Sequence, residues 1–419
     1  MFRLYDSRQR QAAEIVPARG RQLRMYACGP TVTRSAHVGD LRSCLLPDLI
    51  RRNAQRHHLT VIVCQNITDV GPPAGASETD PGCEDKVPAR PHGKTALAVA
   101  RCREDAFRAD CAALNVAPPD YSPRASESIG LITDLIARLI ETGHAYPAQD
   151  GSVYFDARGF PGYGEISGSR PDDLRPGPGL AGGAAAGQRF HADWPLWQGT
   201  PAGRELTWQA PWGSGFPGRH TECSAMSLHY LGERIDIQTG GIDLRFPQHE
   251  DERAQSDAVA GHEVVRHWVH GEHLLFDGAA MDASTGNVVF LADLADRGLD
   301  PLALRLAFLE HRYRQQMNLT WDILGAADRA LRRWRDRVAD WADSPSAPMS
   351  ARHAASIAAG FDDDLDTPAA LRALRALERD DQIPPGSKFE TFAHADRLLA
   401  LDLARDVGRP KPDRPVRLG

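Results

Sequence analysis

Apolar positions along the chain change their period several times, and each change marks an element. Residues 23–33 (LRMYACGPTVT) begin with an apolar run and break at Gly29-Pro30, the pattern of a buried strand and a turn. From 36 to 56 (AHVGDLRSCLLPDLIRRNAQR) apolar residues recur at three- and four-residue spacing, which predicts a helix. Residues 59–64 (LTVIVC) are apolar and β-branched, which suits a parallel strand covered on both faces. Strand, helix and strand at this spacing form a βαβ unit. Helical periodicity returns at 94–115 and 124–143, where Ile129, Leu131, Ile132, Leu135, Ile136, Leu139 and Ile140 share a face. Residues 153–155 (VYF) and 234–238 (RIDIQ) read as strands, and 247–260 as a helix started by Pro247. Beyond about 300 the pattern is almost wholly helical, with helices predicted over 301–312, 321–342, 350–360, 366–378 and 390–404.

Breaks between these runs are rich in Pro and Gly. Residues 71–93 read as a loop, 169–188 as a flexible low-complexity segment, and the chain from 405 onward as a frayed polar tail. The predicted organisation is an α/β domain over 1–300 with an inserted segment at about 94–190, a helical bundle over 301–405, and a flexible tail over 406–419.

Composition changes the picture in a few respects. Hydrophobic residues at 42% and charged residues at 25% are ordinary for a globular protein and exclude wholesale disorder. No apolar stretch approaches the roughly 20 residues of a membrane span, and the polar start MFRLYDSRQRQ is no signal peptide. A cytoplasmic protein without a membrane partner is the expectation. A net charge of −7 argues against a nucleic-acid binder dominated by phosphate contacts. Seven scattered cysteines predict free thiols, one or two of them available to a metal. Only Lys86, Lys94, Lys388 and Lys411 are lysines, so nearly all positive charge is arginine.

Three constellations carry candidate chemistry. His37-Val38-Gly39 follows a strand and turn at a helix start, where unpaired N–H groups and the helix dipole suit phosphate. The same tripeptide also serves as an ordinary structural cap. Cys28, Cys223, Gln248, His249 and Glu252 include the ligand types of zinc, with 248/252 and 249/252 each on one helix face. Their spacing equally describes buried thiols beside a polar helix surface. Gly240-Gly241-Ile242-Asp243 after a strand allows close ligand approach with a carboxylate for ribose hydroxyls, or forms a plain turn.

Taken in order, 26–40 (YACGPTVTRSAHVGD), 64–70 (CQNITDV), 219–226 (RHTECSAM), 239–257 (TGGIDLRFPQHEDERAQSD), 268–270 (WVH) and 278–287 (GAAMDASTGN) resemble the motif series of class I cysteinyl-tRNA synthetases. Residues 194–198 (WPLWQ), 211–218 (PWGSGFPG) and 361–371 (FDDDLDTPAAL) fit as well, and the resemblance runs from about 2 to about 405. It implies a Rossmann-like class I aminoacyl-tRNA synthetase catalytic domain followed by an α-helical bundle, with the anticodon-binding domain absent. It also implies ATP with Mg²⁺, cysteine activated as its adenylate, and Zn²⁺ holding the substrate thiol. Cys28, Cys223, Gln248 and Glu252 stand at the family's Cys, Cys, His and Glu zinc ligands, with His249 beside them. His37 and Asp40 stand at the two histidines of the HIGH signature, and Ala280-Met281-Asp282-Ala283-Ser284 at KMSKS. The resemblance thus assigns His37, Asp40, Asp282 and Ser284 to catalysis. It assigns Gly29, Thr31, His37, Gly39, Gly240, Gly241, Asp243 and Met281 to nucleotide binding.

The departures fall on the chemistry. Asp40 replaces a histidine, Ala280 and Ala283 replace both KMSKS lysines, Asp282 replaces its first serine, and Gln248 replaces a zinc-ligating histidine. At an effective dielectric of about 20, each lost contact between unit charges about 4 Å apart is worth about 4 kcal/mol. Arg245, Arg312 and Arg314 are candidate replacements, and Asp40 with Asp282 can hold an additional Mg²⁺. In length and architecture the chain also resembles the mycothiol-pathway ligase, which joins cysteine to an amino-sugar amine. Three readings follow. The first is an adenylate-forming ligase joining cysteine or an analogue to a small-molecule amine without tRNA. The second is a divergent cysteine–tRNA ligase, and the third a non-catalytic paralogue.

Overall fold

The structure is a computed structural model that describes residues 2–70, 95–174, 187–200, 206–218, 220–281 and 286–409. Contacts divide the chain into one unit of residues 1–293 with 313–318, and a second of 294–312 with 319–419. The predicted loop at 71–93, most of the low-complexity segment and the last ten residues lie outside the described residues.

The first unit opens with an antiparallel pair, β1 (Arg3–Asp6) and β2 (Gln11–Glu14). The predicted βαβ unit follows as β3 (Gln22–Ala27), α1 (Val38–Arg56) and β4 (Thr60–Gln65). Helices α2 (Ala96–Ala113) and α3 (Ile129–Glu141) come next. A five-stranded antiparallel sheet is then built from β5 (Ala145–Pro147), β6 (Val153–Phe155), β7 (Trp194–Gly199), β8 (Trp208–Ala210) and β9 (Gly213–Pro217), in the order β5-β6-β7-β9-β8. Only β6 was expected from the pattern as a strand. The others are short and rich in Trp, Gly and Pro, so alternation has little room to show. Their inner face and the apolar stripe of α3 share one core, in which Phe155 stacks on Trp194 at 4.4 Å.

The chain then returns to the parallel layer through α4 (Thr221–Leu231), β10 (Ile235–Gly241), α5 (Gln248–Ala260) and β11 (Val265–Gly271). The sheet order is β11-β10-β3-β4, with every pair parallel. Every residue of β10 is buried, including Asp236, whose carboxylate accepts the Ala18 and Arg24 amides. The order reverses between β10 and β3. In open α/β sheets, ligands bind in the crevice at the carboxyl ends of the strands at such a switch point. Helix α5 begins one residue later than expected: Pro247 is the residue before the first turn, not its first member.

A hairpin of β12 (Leu274–Phe276) and β13 (Ala279–Ala280) turns through Asp277 and Gly278, both at positive φ. Asp-Gly at such positions matches the two-residue turn whose twist fits antiparallel strands. Helices α6 (Leu291–Asp296) and α7 (Pro301–Leu309) precede β14 (Met317–Leu319), a three-residue strand beside β12 in the stretch that the pattern leaves unassigned between the predicted helices 301–312 and 321–342.

The second unit also holds α8 (Trp321–Ala342), α9 (Ala351–Asp362), α10 (Thr367–Arg379) and α11 (Pro385–Leu399). The last is five residues earlier than the predicted 390–404, because Pro385 sits in its first turn, where a missing N–H costs nothing. Trp334 and Trp341 meet Phe392 edge-on in the bundle core. No helix among the described residues is long and apolar enough to cross a membrane.

Candidate active site at the carboxyl ends of the parallel sheet

The start of α1 is closed by its own side chains. His37 is the N-cap, and its Nδ1 accepts the Gly39 and Asp40 amides at 3.1 and 3.3 Å. Asp40 returns the contact, accepting the His37 amide at 2.9 Å, which makes a reciprocal capping box. The Val38 amide goes to the Val289 carbonyl. Accepting through Nδ1 fixes the tautomer, so the imidazole proton is on Nε2. Burial lowers the His37 pKa, Arg34 adds to this, and Asp40 opposes it. The ring is therefore a neutral N–H donor. Arg34 forks onto Asp40 at 2.7 and 2.9 Å. Burial pushes the Asp40 carboxyl up, but Arg34 and His37 outweigh it and leave the group below the usual range.

The β12–β13 hairpin delivers Met281 to this helix start. A Cβ built on Gly39 would lie 2.8 Å from the Met281 methyl and 2.9 Å from the His37 ring. A side chain there would have to displace the Met281 methyl and the His37 ring. Asn287 holds the hairpin by donating to the Phe276, Ala279 and Ala280 carbonyls. Asp282, Ala283 and Ser284 lie outside the described residues.

A second cluster gathers at the ends of β3 and β10. Cys28 follows β3, Cys223 is on α4, and Gln248, His249 and Glu252 are on the first turns of α5. The polar α5 sequence, which also reads as a surface, is buried throughout 249–256. Its two acidic residues at 250 and 251 have specific partners: Asp251 accepts from Tyr163 at 2.6 Å and meets His220 Nδ1 at 2.8 Å, and Glu250 accepts the Ile166 and Ser167 amides. His249 is 3.0 Å from the Cys28 sulfur through Nε2 and 2.8 Å from His270 through Nδ1. Burial drives His249 well below the usual imidazole range and His270 to about 3. His270 reaches the Ser7 hydroxyl at 2.7 Å. Glu252 is pushed up to about 7 by burial, partly offset by His220, Gln248 and Gln238. The Cys223 thiol hydrogen-bonds to Cys28, and both thiols stand above their ordinary value.

Gly240 and Gly241 end β10 beside this cluster. A Cβ on Gly240 would lie 2.9 Å from His249 Cε1, and one on Gly241 only 2.2 Å from Asp243 Oδ1. Asp243 thus folds back over the glycine pair and is exposed. Gly29 donates to Asn66 Oδ1 at 2.8 Å, while Thr31 bridges to Thr68 and is exposed.

The profile of tRNA synthetases class I (C) catalytic domain matches residues 14–329. The chain is 41% identical to the cysteine--tRNA ligase of Opitutus terrae over 99% of its own length and 89% of that protein. It is 38% identical to a cysteine--tRNA ligase of Thermus thermophilus, over 94% and 84%. The chain belongs to the class I cysteinyl-tRNA synthetase family. Its synthetase fold is shared with Mycobacterium tuberculosis methionyl-tRNA synthetase (TM-score 0.58, 13% identity, covering 91% and 90%). It is also shared with the leucyl enzyme of a ternary complex from Agrobacterium radiobacter (TM-score 0.63, 10% identity, covering 93% and 85%).

In this family member the structure brings His37, Gly39, Asp40 and Met281 together at α1. It gathers Cys28, Cys223, Gln248, His249 and Glu252 at α5. Of the candidate replacement cations, Arg312 belongs to the second unit and pairs with Asp366, and Arg314 stacks on Tyr5 at 4.1 Å. The arginine that does reach the α1 start is Arg34, which sequence reasoning missed although it sits three residues before His37. Gln238 and His270 were also missed, because strand adjacency places them rather than sequence proximity.

The zinc that the family implies requires four ligands. Cys28, His249 and Glu252 offer ligand atoms within 4.8 Å of one another. Of the family's own four positions, Cys28, Cys223 and Glu252 keep ligand types, but the remaining one is the Gln248 carboxamide, whose nitrogen is directed at Cys28, Cys223 and Glu252. An amide NH₂ has no lone pair for a metal. The residues present do not fit a zinc ion in the family's arrangement.

Proposed function

We propose that this chain is an ATP-dependent ligase that activates cysteine, or a close analogue, as its adenylate and transfers it to tRNA. The observation that carries the reading is 41% identity to a cysteine--tRNA ligase along 99% of the chain. It is supported by the meeting of His37, Gly39 and Met281 at the sheet's switch point.

The chemistry needs no protein nucleophile. The amino-acid carboxylate attacks the α-phosphate in line and pyrophosphate leaves; the acceptor hydroxyl then attacks the adenylate carbonyl, loses its proton and expels AMP. The protein supplies position and charge complementarity. The Nε2–H of His37 donates to a phosphate oxygen, held in that role by the two amides on Nδ1. Glycines 240 and 241 admit the nucleotide, and Asp243 accepts from its ribose. Mg²⁺, when bound with ATP, neutralises phosphate charge. Arg34 is the permanent cation at the α1 start, in a chain whose KMSKS positions carry no lysine.

The departures at 40, 280, 282 and 283 favour the non-catalytic reading. The named relatives favour tRNA. Hydroxylamine trapping reports adenylate whatever the acceptor, and charging of a cysteine-tRNA transcript reports transfer. Trapping with charging supports the proposal. Trapping without charging moves the acceptor to a small amine, and neither product supports the non-catalytic reading.

A further inference from the structure

Gln248 stands one turn before Glu252 on α5. Its side-chain nitrogen is 2.8 Å from Glu252 Oε1, 3.7 Å from the Cys28 sulfur and 3.8 Å from the Cys223 sulfur. Gln238 holds the other Glu252 oxygen at 2.5 Å. One amide nitrogen therefore sits among two sulfurs and a carboxylate, each an acceptor. The opposite amide orientation would set a carbonyl oxygen against the same three groups, so the surroundings select the NH₂. For a metal to bind both sulfurs and Glu252, the carboxamide would have to leave, breaking all three contacts. It would then return only a neutral oxygen as a ligand.

We propose that the Gln248 carboxamide is a built-in neutral substitute for the metal ion. One of its N–H bonds is directed at Glu252 and the other is shared by Cys28 and Cys223, and the cluster is held together without zinc. The wall of the amino-acid pocket is then a thiol–amide–carboxylate network rather than a Lewis acid. Gln248 thereby becomes the residue that sets how the pocket reads a substrate side chain. The inference concerns metal occupancy and stands whichever amino acid or acceptor the chain uses.

The test is metal content of the full chain after purification with zinc present, followed by cobalt titration of the same sample. Wild type is expected to carry substoichiometric zinc and to show no sulfur-to-cobalt charge-transfer absorption. Gln248→His is expected to take up one zinc per chain, with affinity raised on the order of a hundredfold or more. It should also show the charge-transfer and tetrahedral d–d bands. Gln248→Cys serves as a second variant should the first fold poorly. Stoichiometric zinc in the wild type overturns the proposal, and its loss in His249→Ala would then assign the site to Cys28, His249 and Glu252. Folded variants that both fail to take up metal overturn the assignment of the block to Gln248.

Discussion

Replacing Asp40 by Asn should move stability and ATP affinity in opposite directions. The carboxylate caps α1 by accepting the His37 amide and pairs with Arg34. Asn keeps an oxygen for the amide but loses the charge. The helix-dipole contribution is about 0.3–1 kcal/mol. The Arg34 pair adds about 0.2–1 kcal/mol, since that side chain is 51% exposed. The variant should lose about 0.5–2 kcal/mol, read as a shift of the urea midpoint. Because the Asp40 pKa is depressed in the fold, this contribution is present above the ordinary carboxylate range and is lost as pH falls through its lowered value. The gap between wild type and variant should therefore be constant near neutrality and close in acid. A carboxylate about 6 Å from a phosphate repels it by about 3 kcal/mol at an effective dielectric of about 20. Screening and the mobility of Arg34 reduce the benefit of removing it to about 1–2 kcal/mol. ATP should bind roughly five- to thirtyfold more tightly, measured by calorimetry at fixed Mg²⁺ and low salt. Weaker ATP binding in the variant would refute the reasoning and make Asp40 a holder of Mg²⁺ rather than an opponent of the triphosphate.

Three further predictions test other parts of the account. Gly29→Ala would place a Cβ 1.6 Å from the Asn66 carbonyl oxygen, a backbone atom that cannot swing aside. It should cost about 3 kcal/mol or more, visible as a large loss of thermal midpoint, and an unchanged midpoint would contradict the packing. Glu104 is buried and accepts from Arg108 and Arg124, which outweigh burial and lower its pKa. Glu104→Gln should cost about 1–3 kcal/mol at neutral pH, and the difference should shrink as pH falls through the lowered pKa. A pH-independent difference would remove charge from the explanation. Ala280→Lys with Ala283→Lys should raise cysteine-dependent pyrophosphate exchange on the order of a hundredfold. No gain would indicate a site rebuilt around other groups.

The βαβ unit was legible because its strands are apolar and β-branched and its helix carries apolar residues at three- and four-residue spacing. The long helices of the second unit were legible for the same reason. The five-stranded sheet was not: a strand such as WPLWQG lacks the alternation that marks a half-buried strand. Helix α5 was placed within one residue, but its burial was hidden, since QHEDERAQS resembles a solvated face until Tyr163, His220 and Ser167 are seen to pair with its Glu250 and Asp251. The ligand types of the Cys28–Glu252 cluster were readable one by one. That Gln248 points its nitrogen into their midst depends on three elements meeting, which no spacing encodes.

The most direct test of the central claim is cysteine-dependent ATP–pyrophosphate exchange by the purified full chain, run across the amino acids with Mg²⁺. The account predicts exchange with cysteine or a close analogue above every other amino acid. No exchange with any of them would contradict it, and would leave a synthetase fold that binds without activating.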